Sequence, residues 1–315
     1  MKLKIGYCKC ALFLLCAFFQ GKKFGVSLCA QDLDAPRFFE VNFQSLSTTA
    51  SPVYGVQPAV LPGAISPNFL FDASLRFPIE LGGKTKFIGQ VDVQQEIMFG
   101  FWEAREAEVE DIHLYENRLS LIVMHDFNEE MRLYATFRGG SGSSQVFDFR
   151  NGAKSFNQVT LLEKRSPERK WGVGLVLSYQ NRFSFLPVVK YEGPIFGKWD
   201  LDLLLPARVL LRRSINKTSR LFAGVRASSG TYLVGDNALQ SDMYANTSYR
   251  RLNLKGIVGV ERQISPWVGL RAEVGANLPY RSGLYDLENP RLEIHDFNQR
   301  IVPHVNLGFF LSLPK

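Results

Sequence analysis

The fold is decided by residues 69–101, which read FLFDASLRFPIELGGKTKFIGQVDVQQEIMFGF. Every second position from Phe69 to Leu81 is apolar, whereas the positions between them include aspartate, serine, arginine and glutamate. Successive side chains of a β-strand point to opposite faces, so this alternation predicts a strand with one apolar and one mostly polar face. The Gly82-Gly83-Lys84 tripeptide predicts a tight turn, and the alternation then resumes from Phe87 to Phe101. The segment is therefore predicted to form an antiparallel hairpin.

The same two-residue period recurs along most of the chain. Apolar positions alternate within 119–123, 131–139, 171–179, 252–260, 268–280 and 301–313. Several of these stretches approach the 9–11 residues that a tilted transmembrane strand needs. Aromatic residues also gather near many strand ends, as in the interfacial girdles of membrane barrels, although aromatics are common in any sheet; they are Phe38, Phe39, Phe99, Phe101, Trp102, Trp171, Tyr191, Trp199, Trp267 and Tyr280.

These patterns predict an all-β fold, a transmembrane antiparallel up-and-down β-barrel that occupies residues 31–315. Long loops are expected at 50–67, 102–112, 140–155, 229–248 and 281–298, and short turns near 82–85, 127–130, 165–170, 193–198, 214–219 and 263–266. If both termini lie in the periplasm, the strand number is even and the short turns face the periplasm. The middle of the chain is ambiguous, because residues 199–213 form either one strand or two strands that break at Pro206. About 12–14 strands are predicted.

The first thirty residues have the features of a secretory signal peptide. A basic start precedes an apolar run from Ala11 to Phe19, and small residues before Gln31 favour cleavage after Ala30. Lys22 and Lys23 interrupt the stretch before this point, so an earlier cleavage is the alternative. The apolar run is too short to cross a bilayer as a helix. Cys16 and Cys29 are candidates for lipid attachment, but each follows a leucine where a lipobox has a small residue. Export places the protein in the cell envelope, and the strand pattern predicts the bacterial outer membrane.

Charge and cysteine content exclude several classes of protein. Five of the 37 basic residues and none of the 30 acidic residues lie in residues 1–30, so the remainder has an excess of only two positive charges. The basic balance of the whole chain therefore does not indicate nucleic-acid binding. All four cysteines lie in the leader, so no disulfide or thiolate metal site is predicted in the barrel, and no cofactor is expected.

The polar face of the strands supplies the candidate site residues. Charges are tolerated in the interior of a membrane barrel, whereas at the lipid-facing midplane each costs about 2–4 kcal/mol. The residues predicted to line the lumen are Asp72, Arg76, Asp92, Glu96, Arg132, Arg138, Asp200, Asp202, Arg208, Lys255, Arg271 and Glu273. Because their signs are mixed, they either pair and plug the barrel or line an open aqueous path.

Motifs with catalytic or metal-binding chemistry are weak, and no catalytic or metal-ligating residue is predicted. His-Asp-Phe-Asn occurs at 125–128 and at 295–298, but adjacent strand residues face opposite ways, and the two copies are expected at opposite ends of the barrel. The Gly-rich piece 139–144 lacks the lysine and helix context of a phosphate loop and is predicted to be a flexible outer loop. The acidic residues of 103–111 fit a solvated loop better than a calcium site, because they lack metal-site spacing.

Two segments carry a resemblance to a known family. The hairpin Phe77–Thr85 and the segment from Phe185 to Pro206, with its Gly197-Lys198-Trp199-Asp200 turn, resemble an uncharacterised family of bacterial outer-membrane barrel proteins, a domain of unknown function. The resemblance implies the barrel and its location, and it supplies no activity and no functional residues. The chain departs from many barrels at its end, because it finishes Leu313-Pro314-Lys315 instead of on an aromatic residue.

Four functions are compatible with the sequence. The first is a passive channel or transport-type barrel for small polar solutes, for which the charged interior face argues. The others are an outer-membrane enzyme acting on lipid or peptide, a non-transporting barrel that binds partners through its long loops, and a soluble secreted β-sandwich. The partners predicted for a barrel are outer-membrane lipid and the barrel-assembly machinery, with no nucleic acid. The oligomeric state is left open.

Overall fold

A computed structural model describes residues 37–49, 65–80, 83–103, 109–144, 153–179, 183–234, 247–286, 293–296 and 301–312. The proposed leader therefore lies outside the described residues. The described part is all-β. Its strands are β1 (Arg37–Thr49), β2 (Ile65–Glu80), β3 (Thr85–Glu103), β4 (Val109–Asp126), β5 (Met131–Ser143), β6 (Ala153–Arg165), β7 (Lys170–Tyr179), β8 (Phe183–Phe196), β9 (Trp199–Leu205), β10 (Arg208–Asn216), β11 (Ser219–Val234), β12 (Thr247–Gln263), β13 (Val268–Asp286), β14 (Glu293–Asp296) and β15 (Val302–Ser312).

The strands form one closed antiparallel barrel. Each strand from β1 to β13 pairs with its neighbour in sequence, and β15 closes the ring by pairing with both β13 and β1. The short β14 pairs with the far end of β13 beyond β15, so β14 and β15 share one position in the ring. The barrel therefore has fourteen strand positions, within the predicted range of 12–14.

The two ends of the barrel differ as the sequence predicts. Short turns include 83–84, 127–130, 166–169, 197–198, 217–218 and 264–267, at the end where β1 begins and β15 finishes; we call this the short-turn end. Gly83, with φ of 78°, supplies the left-handed conformation that the first of these turns requires. At Pro206 the chain breaks into β9 and β10, joined by a two-residue turn with a cis Leu205–Pro206 bond. The two-strand alternative for 199–213 is thus confirmed.

Strand residues extend into all five predicted long loops, and the prediction is wrong for the Gly-rich piece. The sequence predicts a flexible outer loop at 139–144, but Gly139–Ser143 are the end of β5 and pair with Tyr115–Leu119 of β4. The same residues lie between β4 and β6, since the β6 register with β5 runs out to Gly142 and Ala153. Glycine and serine lack the β-propensity that marks a strand, and here pairing on both sides overrides that local preference.

The outer surface is apolar around the ring. Exposed large hydrophobic side chains project from the outward positions of nearly every long strand, among them Phe43, Leu75, Leu121, Phe137, Val173, Leu175, Val225, Val258, Val274, Val305 and Leu307. Aromatic side chains lie near the short-turn end, where Trp171 pairs with Tyr191 and Phe196 contacts Trp199. A closed ring leaves no sheet edge for lipid to contact, so this surface defines a transmembrane β-barrel. No described helix is long and apolar enough to cross a membrane.

Because the outer surface is apolar, the free-energy cost of a charged substitution should depend on its depth in the bilayer. Leu307 lies near the middle of β15, with 58% of the residue surface exposed, and Ile301 precedes the same strand, with 69% exposed. Arginine costs about 2–4 kcal/mol at the bilayer midplane and about 0–1 kcal/mol near the interface. We expect Leu307→Arg to destabilise the folded barrel by that larger amount in lipid vesicles, measured by urea unfolding. Ile301→Arg is the matched control, and equal losses in the two variants would contradict a lipid-facing midplane at Leu307.

The barrel wall is lowest at the hairpin β9–β10. The β10–β11 register ends at Arg208 and Arg226, whereas β11 continues to Val234 and keeps its pairing with β12 throughout. The far parts of β11 and β12 extend beyond the β9–β10 wall, and Leu233 of β11 pairs in parallel with Ser143 of β5. Five strands separate β5 from β11 along the ring, so this pairing crosses the lumen. We call residues 230–233 and 248–251 the lid.

Candidate functional site

The interior of the barrel is polar and charged. Buried side chains on this face include Asn42, Gln90, Gln94, Glu116, Asn117, Asn253, Glu261, Asn277 and Asn306. The alternation that exposes apolar residues to lipid brings these polar residues to the inside, which reverses the arrangement of a soluble protein. Among the described residues, these interior groups are the ones that a solute in the lumen would meet.

The structure describes the side chains of all twelve residues that the sequence assigns to the lumen. Asp92, Glu96, Asp202, Lys255 and Glu273 are buried; Asp72, Arg76, Arg132, Arg138, Arg208 and Arg271 are half-buried; and Asp200 is exposed. Three pairs within the set make direct contacts, namely Arg208 with Asp202, Arg271 with Glu273 and Arg138 with Asp92. Arg132 instead binds Asp126 at the short-turn end. The twelve residues thus belong to several separate ionic clusters.

The first cluster lies where the lid meets the opposite wall. Gln94 Nε2 donates to the hydroxyl of Tyr232, whose side chain is fully buried, at 2.6 Å. Tyr232 stacks on Tyr249 with 6.1 Å between the ring centroids, so both strands of the lid contribute an aromatic ring. The backbone also approaches closely, because a Cβ added at Gly142 would lie 2.0 Å from the carbonyl oxygen of Thr231. Glycine is required at this position for the lid to reach β5.

An ion pair joins the lid to β3 at the same level. Arg251 Nη1 lies 2.5 Å from Glu96 Oε1, and the exposed fractions of the two side chains are only 2% and 0%. These residues are 155 positions apart in sequence and belong to strands that are not neighbours in the ring. The pair, the Tyr232 ring and the Gly142 contact thus connect the lid to the opposite wall of the barrel at one level.

A cavity of about 260 Å³ lies nearer the short-turn end. Two glutamates, Glu40 and Glu261, and the apolar Leu210 and Phe222 form part of its wall. The rest is arginine: Arg37, Arg76, Arg208, Arg212, Arg220, Arg226 and Arg271. Five of these arginines form described ion pairs, and between 11% and 38% of each side chain is exposed. Water therefore has access to these side chains. We call this space the arginine cavity.

Carboxylates hold several of these arginines in place. Asp202 lies 3.1 Å from Arg208 and 2.5 Å from Arg212, while Glu261 lies 2.8 Å from Arg37. Glu273 receives hydrogen bonds from Arg271 Nη2 at 2.8 Å and from Arg271 Nε at 3.1 Å. Its second oxygen lies 3.0 Å from Nε2 of the buried His304. The wall of the cavity is therefore a fixed ionic network.

Several charged residues of the cavity wall, its ionic network and the lid are not among those that the sequence assigns to the lumen. They are Arg37, Glu40, Arg212, Arg220, Arg226, Arg251, Glu261 and His304. The strand alternation could have identified two of them. Arg251 and Glu261 are separated from Lys255 by even numbers of residues along β12, so all three side chains point to the same face. Their convergence with β1, β3 and β13 depends on closure of the ring, which a strand pattern does not reveal.

The histidine motifs lie at opposite ends of the barrel, as predicted. His125 is at the short-turn end, where its Nδ1 lies 2.8 Å from the hydroxyl of Thr85 and its ring contacts Phe127 edge-on. His295 pairs through its backbone with Leu284 at the other end, and its side chain is outside the described set. The two copies do not converge.

Within the described residues, no group of three or more histidine, cysteine or acidic side chains is arranged to hold a metal ion. Of the acidic loop, Glu106 is among the residues outside the structure's description.

Together these features define a class of protein, a transmembrane β-barrel with a charged interior that is crossed by contacts between its own strands. No protein-family model matches the chain. No curated protein matches it either. Solved structures with similar folds include an outer-membrane channel from Pseudomonas putida F1, at 13% identity and a TM-score of 0.47, covering 92% of this chain and 100% of that one.

Two other similar structures are more distant. One is the Pseudomonas putida toluene transporter TodX, with 8% identity, a TM-score of 0.34, and coverage of 89% of each chain. The other is LpxR from Salmonella typhimurium, with 7% identity, a TM-score of 0.33, and coverage of 87% of this chain and 100% of that one. At these levels of similarity, the assignment of the barrel rests on the strand pairing and surface of this chain.

Proposed function

We propose that the chain is an outer-membrane channel for small polar solutes, closed in this conformation by the lid. The observation that carries the proposal is the contrast between the two faces of one sheet. The outer face carries apolar side chains suited to lipid, and the inner face carries charged side chains around a water-accessible cavity. The outer membrane is the proposed location because closed antiparallel barrels of this size are characteristic of it. Lipid around the apolar belt and insertion by the barrel-assembly machinery belong to the same proposal.

The path would run along the lumen from the short-turn end to the long connections. The arginine cavity forms one part of this path, and the lid contact forms its barrier. We propose that the lid is the element that moves. Its part of β11 extends past the end of β10, so its continuous antiparallel pairing is with β12, and the contact with β5 is limited to the pairing of Leu233 with Ser143. Segments with fewer backbone partners open at lower free energy than those paired on both sides.

Conductance tests this function. Protein purified from the outer-membrane fraction of expressing cells, and shown to be folded by heat-dependent gel migration, is inserted into planar lipid bilayers. We expect brief conductance steps in potassium chloride, because passage requires the lid to move away from β5. A folded protein that never conducts, even when the lid contact is disrupted by mutation, would overturn the channel. Recovery from a fraction other than the outer membrane would overturn the location.

A further inference from the structure

We propose that the arginine cavity is a binding site for a small oxyanion, a solute that carries phosphate or carboxylate groups. The binding site is inferred from the cavity and its charges alone. Its role in selecting the solutes that are transported rests on the proposed channel function. Three observations support the proposal: the balance of charge, the arrangement of the guanidinium groups, and the access of water to them.

The charged groups that line the cavity are mainly arginines. Seven arginines line it. Four carboxylates accompany them, since Glu40 and Glu261 share the wall and Asp202 and Glu273 pair with four of the arginines. This set therefore has three more positive than negative charges. Guanidinium groups form paired hydrogen bonds with the oxygens of carboxylates and phosphates, so the excess favours an oxyanion over a halide.

Two arginines are available to a ligand. Arg76 Nε donates to Gln90 Oε1 at 2.9 Å, and no carboxylate of the described residues lies within ion-pair distance of it. Arg226 lies 3.7 Å from Glu273, which is beyond hydrogen-bonding distance, while Glu273 is already bound by Arg271 and His304. Both guanidinium groups could therefore bind an oxyanion without breaking a short ion pair.

The cavity is rigid and small. The guanidinium of Arg37 lies 3.9 Å from the centroid of the Phe310 ring, and that of Arg271 lies 4.7 Å from the centroid of Phe222. These ring contacts fix two of the cationic groups before a ligand arrives, which lowers the entropy lost on binding. A volume of about 260 Å³ is at the lower limit of small-molecule pockets, so the ligand is a small anion.

Calorimetric titration of the purified, folded full chain tests the site. Pyrophosphate and citrate are the two probes, because one presents phosphate and the other carboxylate groups; spermidine is the cationic control. We expect at least one anion to bind, spermidine not to bind, and Arg76→Gln or Arg226→Gln to weaken binding about tenfold, the loss typical of one charge-assisted hydrogen bond. Arg132→Gln is the matched control, since Arg132 is on the same face of the sheet but does not line the cavity.

Each outcome decides one point. Binding of either anion that weakens in Arg76→Gln and Arg226→Gln but not in Arg132→Gln supports the site, and the probe that binds identifies the oxyanion group. Absence of binding by both anions, or equal weakening in Arg132→Gln, would overturn it. A barrel that binds the anion and never conducts would overturn the proposed channel and leave the site intact. A barrel that conducts without binding either anion would overturn the binding site and leave the proposed channel intact.

Discussion

Gly142→Val is expected to raise the conductance of the barrel several-fold, because valine cannot fit between β5 and the lid. Even the first carbon of the new side chain would lie 2.0 Å from the carbonyl oxygen of Thr231, so one of the two backbones must move. Residues of β5 at this level pair with β4 and β6, whereas the lid part of β11 pairs along its length with β12. We therefore expect the lid to move away from β5. Single-channel recording in planar bilayers measures the resulting increase in conductance.

Gly139→Val is the matched control for this variant. Gly139 lies three residues earlier on the same strand, and a Cβ added there meets no atom within 4 Å. Gly139 is at an outward position of β5 and Gly142 at an inward one, so the control adds the same β-branched side chain to the same strand without a contact to the lid. Heat-dependent gel migration confirms that both are folded. If Gly142→Val is folded but conducts no more than Gly139→Val, the lid is not the barrier to passage.

Much of the barrel could be predicted from the sequence because membrane strands have two chemically different faces. The alternation around Phe69 and Phe87 identified β2 and β3, and the turn at Gly82-Gly83-Lys84 identified their connection. Proline at 206 indicated the break that makes the strand number even. These signals are local, and each depends only on which way neighbouring side chains point.

The closure of the lumen could not be predicted in the same way. Residues 139–143 have the composition of a loop, and their role as the surface that meets the lid depends on β11, about ninety residues later in the chain. The arginine cavity likewise combines side chains of β1, β2, β10, β11, β12 and β13. Parity along a strand predicts that such a residue faces inward, but the depth and neighbours of its side chain follow from the register of the whole ring.

Removal of either partner of the ion pair between Glu96 and Arg251 is expected to destabilise the barrel by about 3–5 kcal/mol. Arg251→Met leaves the carboxylate of Glu96 buried opposite an apolar side chain, and Glu96→Met leaves the guanidinium of Arg251 in the same position. The double variant Glu96→Met/Arg251→Met removes both charges and keeps most of the volume, so it should recover a large part of the loss. Urea unfolding of the four proteins in lipid vesicles gives the coupling free energy of the pair.

The comparison pair for this cycle is Lys170 with Glu192. These side chains lie 3.3 Å apart but keep 39% and 33% of their surface exposed, so solvent screens their attraction. Lys170→Gln should cost no more than about 1 kcal/mol. A coupling free energy between Glu96 and Arg251 as small as that of the exposed pair would show that water reaches the buried pair, and that the lid does not seal the lumen. A large coupling would instead show that each charge depends on the other for its stability inside the barrel, because both are desolvated only while the lid lies against β3.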